Sequence, residues 1–139
     1  MIGDEMKIST KGRYALTIMA YLANHYKENR YISLKEISEK ENISLKYLER
    51  IITSLNKNNY LDSHRGTDGG YKLSSEPKNY TIYDIVSKAE GGIAITACVD
   101  NGFKCLKKEN CHSYKLWNEL NNVITEFLKS KNLEEYIKE

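Results

Sequence analysis

The sequence is short of several things. It has one proline, Pro77, and three cysteines in 139 residues. Nowhere does it approach the ~20 consecutive apolar residues that a membrane-crossing helix needs. It has no block of like charge: 21 Lys and Arg stand against 19 Asp and Glu, a formal charge of +2. Each scarcity excludes something. The lone proline argues against a loop-rich scaffold. A 40% hydrophobic content without charge blocks excludes wholesale disorder. Near-balanced charge neither demands nor forbids a nucleic-acid partner. The first residues, MIGDEMKIST, lack the apolar core and cleavage signal of a secreted protein, so a cytoplasmic location is expected. No Ser/His/Asp set, phosphate loop or hydrolytic metal site is present, so no enzyme is expected. Internal repeats and low-complexity segments are missing too.

What is there is one domain's worth of chain with strong helical patterning. Residues 10–26 place Ala15, Ile18, Met19, Leu22, Ala23 and Tyr26 at the spacing of an amphipathic helix. Residues 33–40 open with Ser33 and carry Glu36 three positions on, a capping-box signature, with Leu34 and Ile37 on one face. After the break ENIS, Ser44 is placed to cap a third helix, with Leu45, Leu48, Ile51, Ile52 and Leu55 facing inward. Two short helices split by a tight turn fit a helix-turn-helix. Residues 60–65 and 71–73 then read as strands around the glycine-rich turn 66–70. That order, helix-turn-helix then β-hairpin, is the order of a winged helix.

Downstream of Pro77, Thr81 and Asp84 mark another capped helix over Ile82, Ile85, Val86 and Ala89, ended by Gly91 and Gly92. Ile93 to Ala97 is short, apolar and β-leaning. Residues 113–131 form the strongest helical pattern, with Leu116, Trp117, Leu120, Val123, Ile124, Phe127 and Leu128 in one apolar stripe. A last short helical segment carries Leu133, Tyr136 and Ile137. The fold class expected is mainly α with a small β-hairpin.

In a helix-turn-helix, the outward N-terminal residues of the second helix meet base edges. Here they are Lys46, Tyr47, Glu49 and Arg50, and Arg50 is the best single candidate for base readout. Lys11, Arg13 and Lys57 suit phosphates by type. The hairpin tip carries Arg65 beside Gly66, Gly69 and Gly70, a wing able to lower a cation into the minor groove. Taken alone, Lys46, Glu49 and Arg50 also fit a plain solvated face; the hairpin directly afterwards favours the reader. Charge leans the same way. Residues 1–75 carry 12 basic and 9 acidic side chains, and the remainder 9 and 10.

All three cysteines fall between residues 98 and 111, as Cys98, Cys105 and Cys111. An odd, clustered set is a poor disulfide framework and a better ligand set. Thiolates are soft donors for iron–sulphur clusters, zinc or copper(I). Lys104, Lys107 and Lys108 favour thiolate where they lie close. The spacing matches neither paired zinc motifs nor a ferredoxin run. Chemistry alone therefore gives a soft metal or redox site of open identity.

Three segments together carry a resemblance: MKISTKGRYALTIMAYLA at 6–23, ISLKYLERIITSLNKNNYL at 43–61, and RGTDGGYKL at 65–73. They resemble the Rrf-two (Rrf2) family of winged-helix transcription regulators, in its IscR-like iron–sulphur branch, over nearly the whole chain. The resemblance implies a winged-helix domain over 6–90, a cysteine-bearing sensor segment over 91–112, and a dimerisation helix with its tail over 113–139. It implies a homodimer on a palindromic double-stranded operator, expected to act as a repressor. The dimer contact would fall on Leu116, Trp117, Leu120, Val123, Ile124 and Phe127. The cysteine trio resembles the family's ligands for a [2Fe–2S] cluster, or in some members a [4Fe–4S] one. The IscR-like fourth ligand is a histidine three residues after the last cysteine. Tyr114 stands there in this chain, and His112 is the candidate instead. Two other readings stand beside this one: the same regulator with a thiol redox switch or zinc site, and a DNA-free protein-interaction module.

Overall fold

The computed structural model describes residues 8–93 and 111–138. Thr10–Asn24 forms α1, with Ala15, Ile18, Met19, Leu22 and Ala23 buried along its apolar stripe. Ser9 caps it, its Oγ accepting the Lys11 N–H at 3.2 Å. The sequence pattern extends this helix to Tyr26, but the observed helix stops at Asn24. A 3₁₀ turn over Tyr26–Glu28 follows and ends at Asn29 in the left-handed region.

Leu34–Glu41 forms α2, and Ser33 Oγ accepts the Glu36 N–H at 3.1 Å. The capping box is only half made. The Glu36 carboxylate turns instead to Arg30, with Nη1 and Nη2 each donating at 2.9 Å, and to the Tyr21 hydroxyl at 2.7 Å. A paired guanidinium competes better for a carboxylate than one backbone N–H does. Asn42, left-handed at φ 54°, ends α2. Ile43 then drops into the core, and its carbonyl accepts the Ser38 hydroxyl at 2.6 Å. Leu45–Lys57 forms α3, with Ser44 Oγ accepting the Tyr47 N–H at 3.2 Å.

Leu48, Ile51, Ile52 and Leu55 are buried as the pattern requires, but Leu45 is not: it is 44% exposed. By helical rotation it sits about 20° from Ile52, which is why periodicity puts it inward. Ile43, two residues earlier, is buried in the core instead.

Leu61–His64 (β1) and Gly70–Leu73 (β2) pair antiparallel, Leu61 opposite Leu73 and His64 opposite Gly70. The hairpin is docked, not free-standing. Ile32 and Tyr71 exchange backbone hydrogen bonds at 2.8 Å in both directions. Gly70 makes that approach possible: at φ 154°, a side chain there would run into the Ile32 carbonyl. The buried Tyr80 ties down the hairpin's base, its hydroxyl donating to the Tyr60 carbonyl at 2.8 Å and accepting the Ser75 N–H at 3.0 Å.

Ile82–Glu90 forms α4, with Thr81 Oγ1 accepting the Asp84 N–H at 3.0 Å and Gly91, φ 83°, as the left-handed C-cap. It packs most extensively on α1. The chain resumes at Cys111, and Tyr114–Lys129 forms α5. The β-leaning stretch at 94–97 lies outside the described residues, and Ile93 is not in a strand. After α5, which packs against α4, the chain enters the core. Leu133 is fully buried in the core, its N–H donating to the Tyr80 carbonyl at 2.9 Å. The Lys138 N–H reaches Asn24 Oδ1 at 2.8 Å.

Candidate nucleic-acid interface

The outward side of α3 is built by helical arithmetic. Leu45, Lys46, Glu49, Arg50 and Thr53 fall within one arc and are all exposed. Tyr47 stands at its edge, half-buried, with its ring edge-on to Tyr14 at 5.4 Å between centroids. Packing therefore occupies part of that ring. Lys57 is exposed in the last turn, about 18 Å along the helix from Leu45 at 1.5 Å per residue.

Lys11 and Arg50 come together. With Tyr47, Ile51, Ser54 and Ala89 they line a groove of about 320 Å³ where the start of α1, the middle of α3 and the end of α4 meet. Arg13 does not join them. Two positions on a helix turn it by about 200°, and Arg13 lies in a different groove with Thr17 and Tyr21. Its Nη2 donates to Thr10 Oγ1 at 3.4 Å.

In the wing, Arg65 and Gly66 are exposed. Gly69 and Gly70 are only half-exposed and have a steric duty, since a Cβ on Gly69 would run into the His64 carbonyl. Both strands of the hairpin lean on Tyr31. His64 stacks on its ring at 5.1 Å, and Lys72 Nζ sits 4.7 Å from its centroid. Lys72 also donates to Asn29 Oδ1 at 3.1 Å. These contacts fix where Arg65 points from.

Behind this face runs a polar chain. Arg30 is held by both Glu28 and Glu36, and His25 pairs with Glu28. The hydrogen bond from Arg30 holds the Glu36 carboxyl down at about 2, against an ordinary value near 4.5. Burial, with Glu36 beside it, pushes the Tyr21 hydroxyl up to about 12.

A contact between residues far apart in the chain joins the start of α1 to the end of α4. Glu90, the last residue of α4, accepts the Ser9 N–H at 2.7 Å and the Ser9 hydroxyl at 2.6 Å. One sequence signal does point to it. An acid at a helix C-terminus is electrostatically misplaced, so Glu90 needed a partner elsewhere. α1 has no acid in its own first turn, and Glu90 supplies one.

Of the three cysteines, Cys98 and Cys105 lie outside the described residues. Cys111 is exposed, its Sγ 3.5 Å from Ser113 Oγ. α5 starts at Tyr114, so neither Cys111 nor His112 is in a helix. The roughly 100° splay that a helix imposes on adjacent side chains therefore does not apply to this pair. Cysteine sulphur is the donor type that iron–sulphur groups use, normally four per cluster, and of the three cysteines here only Cys111 is described. No group of three or more metal-ligating side chains occurs among the described residues.

The apolar stripe of α5 lies largely open. None of its residues is buried; Leu116, Val123 and Phe127 are 56%, 66% and 57% exposed. Trp117, Leu120 and Ile124 are half-buried. Among the described residues no helix is long and apolar enough to cross a membrane.

A helix-turn-helix followed by an anchored hairpin defines the winged-helix class of DNA-binding domain. The model of the Rrf2 family, described as an iron-dependent transcriptional regulator, matches residues 8–139, and the chain belongs to that family. It is 36% identical over 133 residues to the HTH-type transcriptional regulator IscR of Xenorhabdus nematophila, covering 96% of this chain and 80% of that protein. Among solved structures it is similar to CymR, the global cysteine regulator of B. subtilis, at 40% identity and a TM-score of 0.74, covering 92% of this chain and 93% of that one. It is also similar to the IscR of T. potens, at 32% identity and a TM-score of 0.72, covering 92% and 83% of the two chains. These relatives are transcriptional regulators and not enzymes, as the sequence led us to expect.

Proposed function

We propose that this regulator binds a palindromic operator as a homodimer and represses from it, with its affinity set by an iron–sulphur cluster on Cys98, Cys105 and Cys111. A [2Fe–2S] cluster is favoured over [4Fe–4S], with His112 as candidate fourth ligand. One observation carries the reading: where the cysteine segment is rooted. In the chain it is flanked on one side by Glu90, which grips the start of α1, and on the other by α5. The residues before it are thus tied to the start of α1, beside the proposed DNA-facing surface, and those after it begin the open apolar helix.

When bound, a cluster supplies sensitivity to oxidation, to iron supply and to ligands that attack iron. The chain's own residues do the rest. Arg50 reads a base edge and Lys46 and Glu49 flank it. Lys11, Arg13 and Lys57 hold phosphates. Arg65 enters the minor groove, and Gly69 and Gly70 shape the wing behind it. Leu116, Trp117, Leu120, Val123, Ile124 and Phe127 pair across a two-fold axis. A cluster alters DNA affinity only by favouring one arrangement of these elements over another.

Anaerobic purification with iron analysis and a visible spectrum tests the reading. Coloured protein with two or more irons per chain is expected. Colourless, iron-free protein that reconstitution does not rescue would contradict it. A second reading, a thiol switch without metal, is supported by the likeness to CymR, which has been solved in an oxidized form from Staphylococcus aureus. Three cysteines are one more than a disulfide uses, which weighs toward the cluster; metal analysis separates the two.

A further inference from the structure

We infer that Leu45 reads the C5-methyl group of a thymine in the operator, which makes it a specificity determinant. The inference rests on the DNA-binding reading above and sharpens it. Leu45 is the first residue of α3, the end that enters the groove in a helix-turn-helix. It is 44% exposed, while Leu48, one turn of the same stripe away, is fully buried. Its neighbours on the exposed arc are Lys46, Glu49, Arg50 and Thr53, all polar. A lone leucine within a polar, cation-bearing strip costs solvation in the free protein and gives the core little.

Its place in the strip supplies the occupant. Arginine, lysine and glutamate address guanine and cytosine edges through hydrogen bonds. They leave the thymine methyl, the one apolar feature of the major groove, without a partner. A branched aliphatic side chain beside them completes the set.

The test removes the methyl from the DNA and leaves the protein intact. A duplex selected from a random pool by the purified full chain is remade with deoxyuridine for thymidine, one position at a time. Wild type is expected to lose about fourfold in affinity at one thymine per half-site, the factor expected for burying one methylene-sized group. Leu45→Ala is expected to bind the thymine and uracil duplexes alike at that position. If no thymine is methyl-sensitive, or Leu45→Ala keeps the full sensitivity, the inference is overturned while specific binding stands. If no duplex is selected at all, the DNA-binding reading falls with it. Because Leu45 is half-exposed, its truncation leaves the fold intact, and an unchanged melting curve checks that.

Discussion

Glu90 and Ser9 stand 81 residues apart in the chain and are joined by two hydrogen bonds of 2.7 and 2.6 Å. The carboxylate thereby caps a helix it does not belong to. It also lies against Gly12, where a Cβ would come within 2.8 Å of Ile8 Cγ2 and 3.1 Å of Val86 Cγ1. The start of α1 and the end of α4 are thus closed on each other.

The first prediction follows from that closure. Glu90→Gln keeps the shape and removes the charge, and should cost on the order of 1 kcal/mol at this partly exposed site. Gly12→Ala should cost about 1–3 kcal/mol by overpacking. Together they should cost less than their sum, because each loosens the contact the other strains. Urea unfolding of the four proteins reads the difference; strict additivity would contradict the shared contact.

The second prediction concerns the tail. Leu133 is fully buried although it follows α5. Leu133→Ala should destabilise the domain by about 2–5 kcal/mol, the range for a buried leucine. A shift of only a few tenths in urea unfolding would show that the tail is not part of the core.

Much of this fold was legible in the sequence. Ser33, Ser44 and Thr81 all cap helices as their spacing predicts, and each accepts a backbone N–H from the residue three positions on. Leu61–His64 falls inside the strand read at 60–65, and Gly70–Leu73 begins one residue before the strand read at 71–73. What escaped was whatever depends on how the elements pack and which side chains then meet. Periodicity sees the angle of Leu45 but not that the packed fold leaves it 44% exposed. A capping box explains Ser33 and says nothing of Arg30, which captures the Glu36 carboxylate. In the candidate site, Lys11 and Arg50 lie 39 residues apart in the sequence, and only the packing of the helices brings them to one groove. Arg13 is two residues from Lys11 and faces elsewhere for the same helical reason.

The third prediction tests the open stripe of α5. Val123→Asp with Phe127→Asp places two charges on side chains already 66% and 57% exposed. The domain should stay folded, with its helical circular dichroism kept. Sedimentation should move from dimer to monomer, and affinity for a full palindrome should fall toward that for a half-site. A wild-type chain that sediments as a monomer would contradict the pairing.

The fourth prediction is a pH dependence. Arg30 holds the Glu36 carboxyl at about 2, against about 4.5 ordinarily. A carboxyl lowered on folding contributes stability above its unfolded pKa, and that contribution is lost as pH falls toward the folded one. Stability should therefore decline between pH 4.5 and 2. Glu36→Gln should be less stable at pH 7 and show a shallower decline in that window. Equal slopes in the two proteins would contradict the assignment.

The central claim is that the cysteine segment controls what the winged helix binds. One measurement addresses it: the anaerobic affinity for a selected operator duplex, by fluorescence anisotropy, of one preparation before and after chelation removes its iron. The account predicts a change of about 5–150-fold, the usual span of coupling between two sites. It predicts no such change in a Cys98→Ala, Cys105→Ala, Cys111→Ala triple variant. Equal affinity with and without iron in the wild type would contradict it.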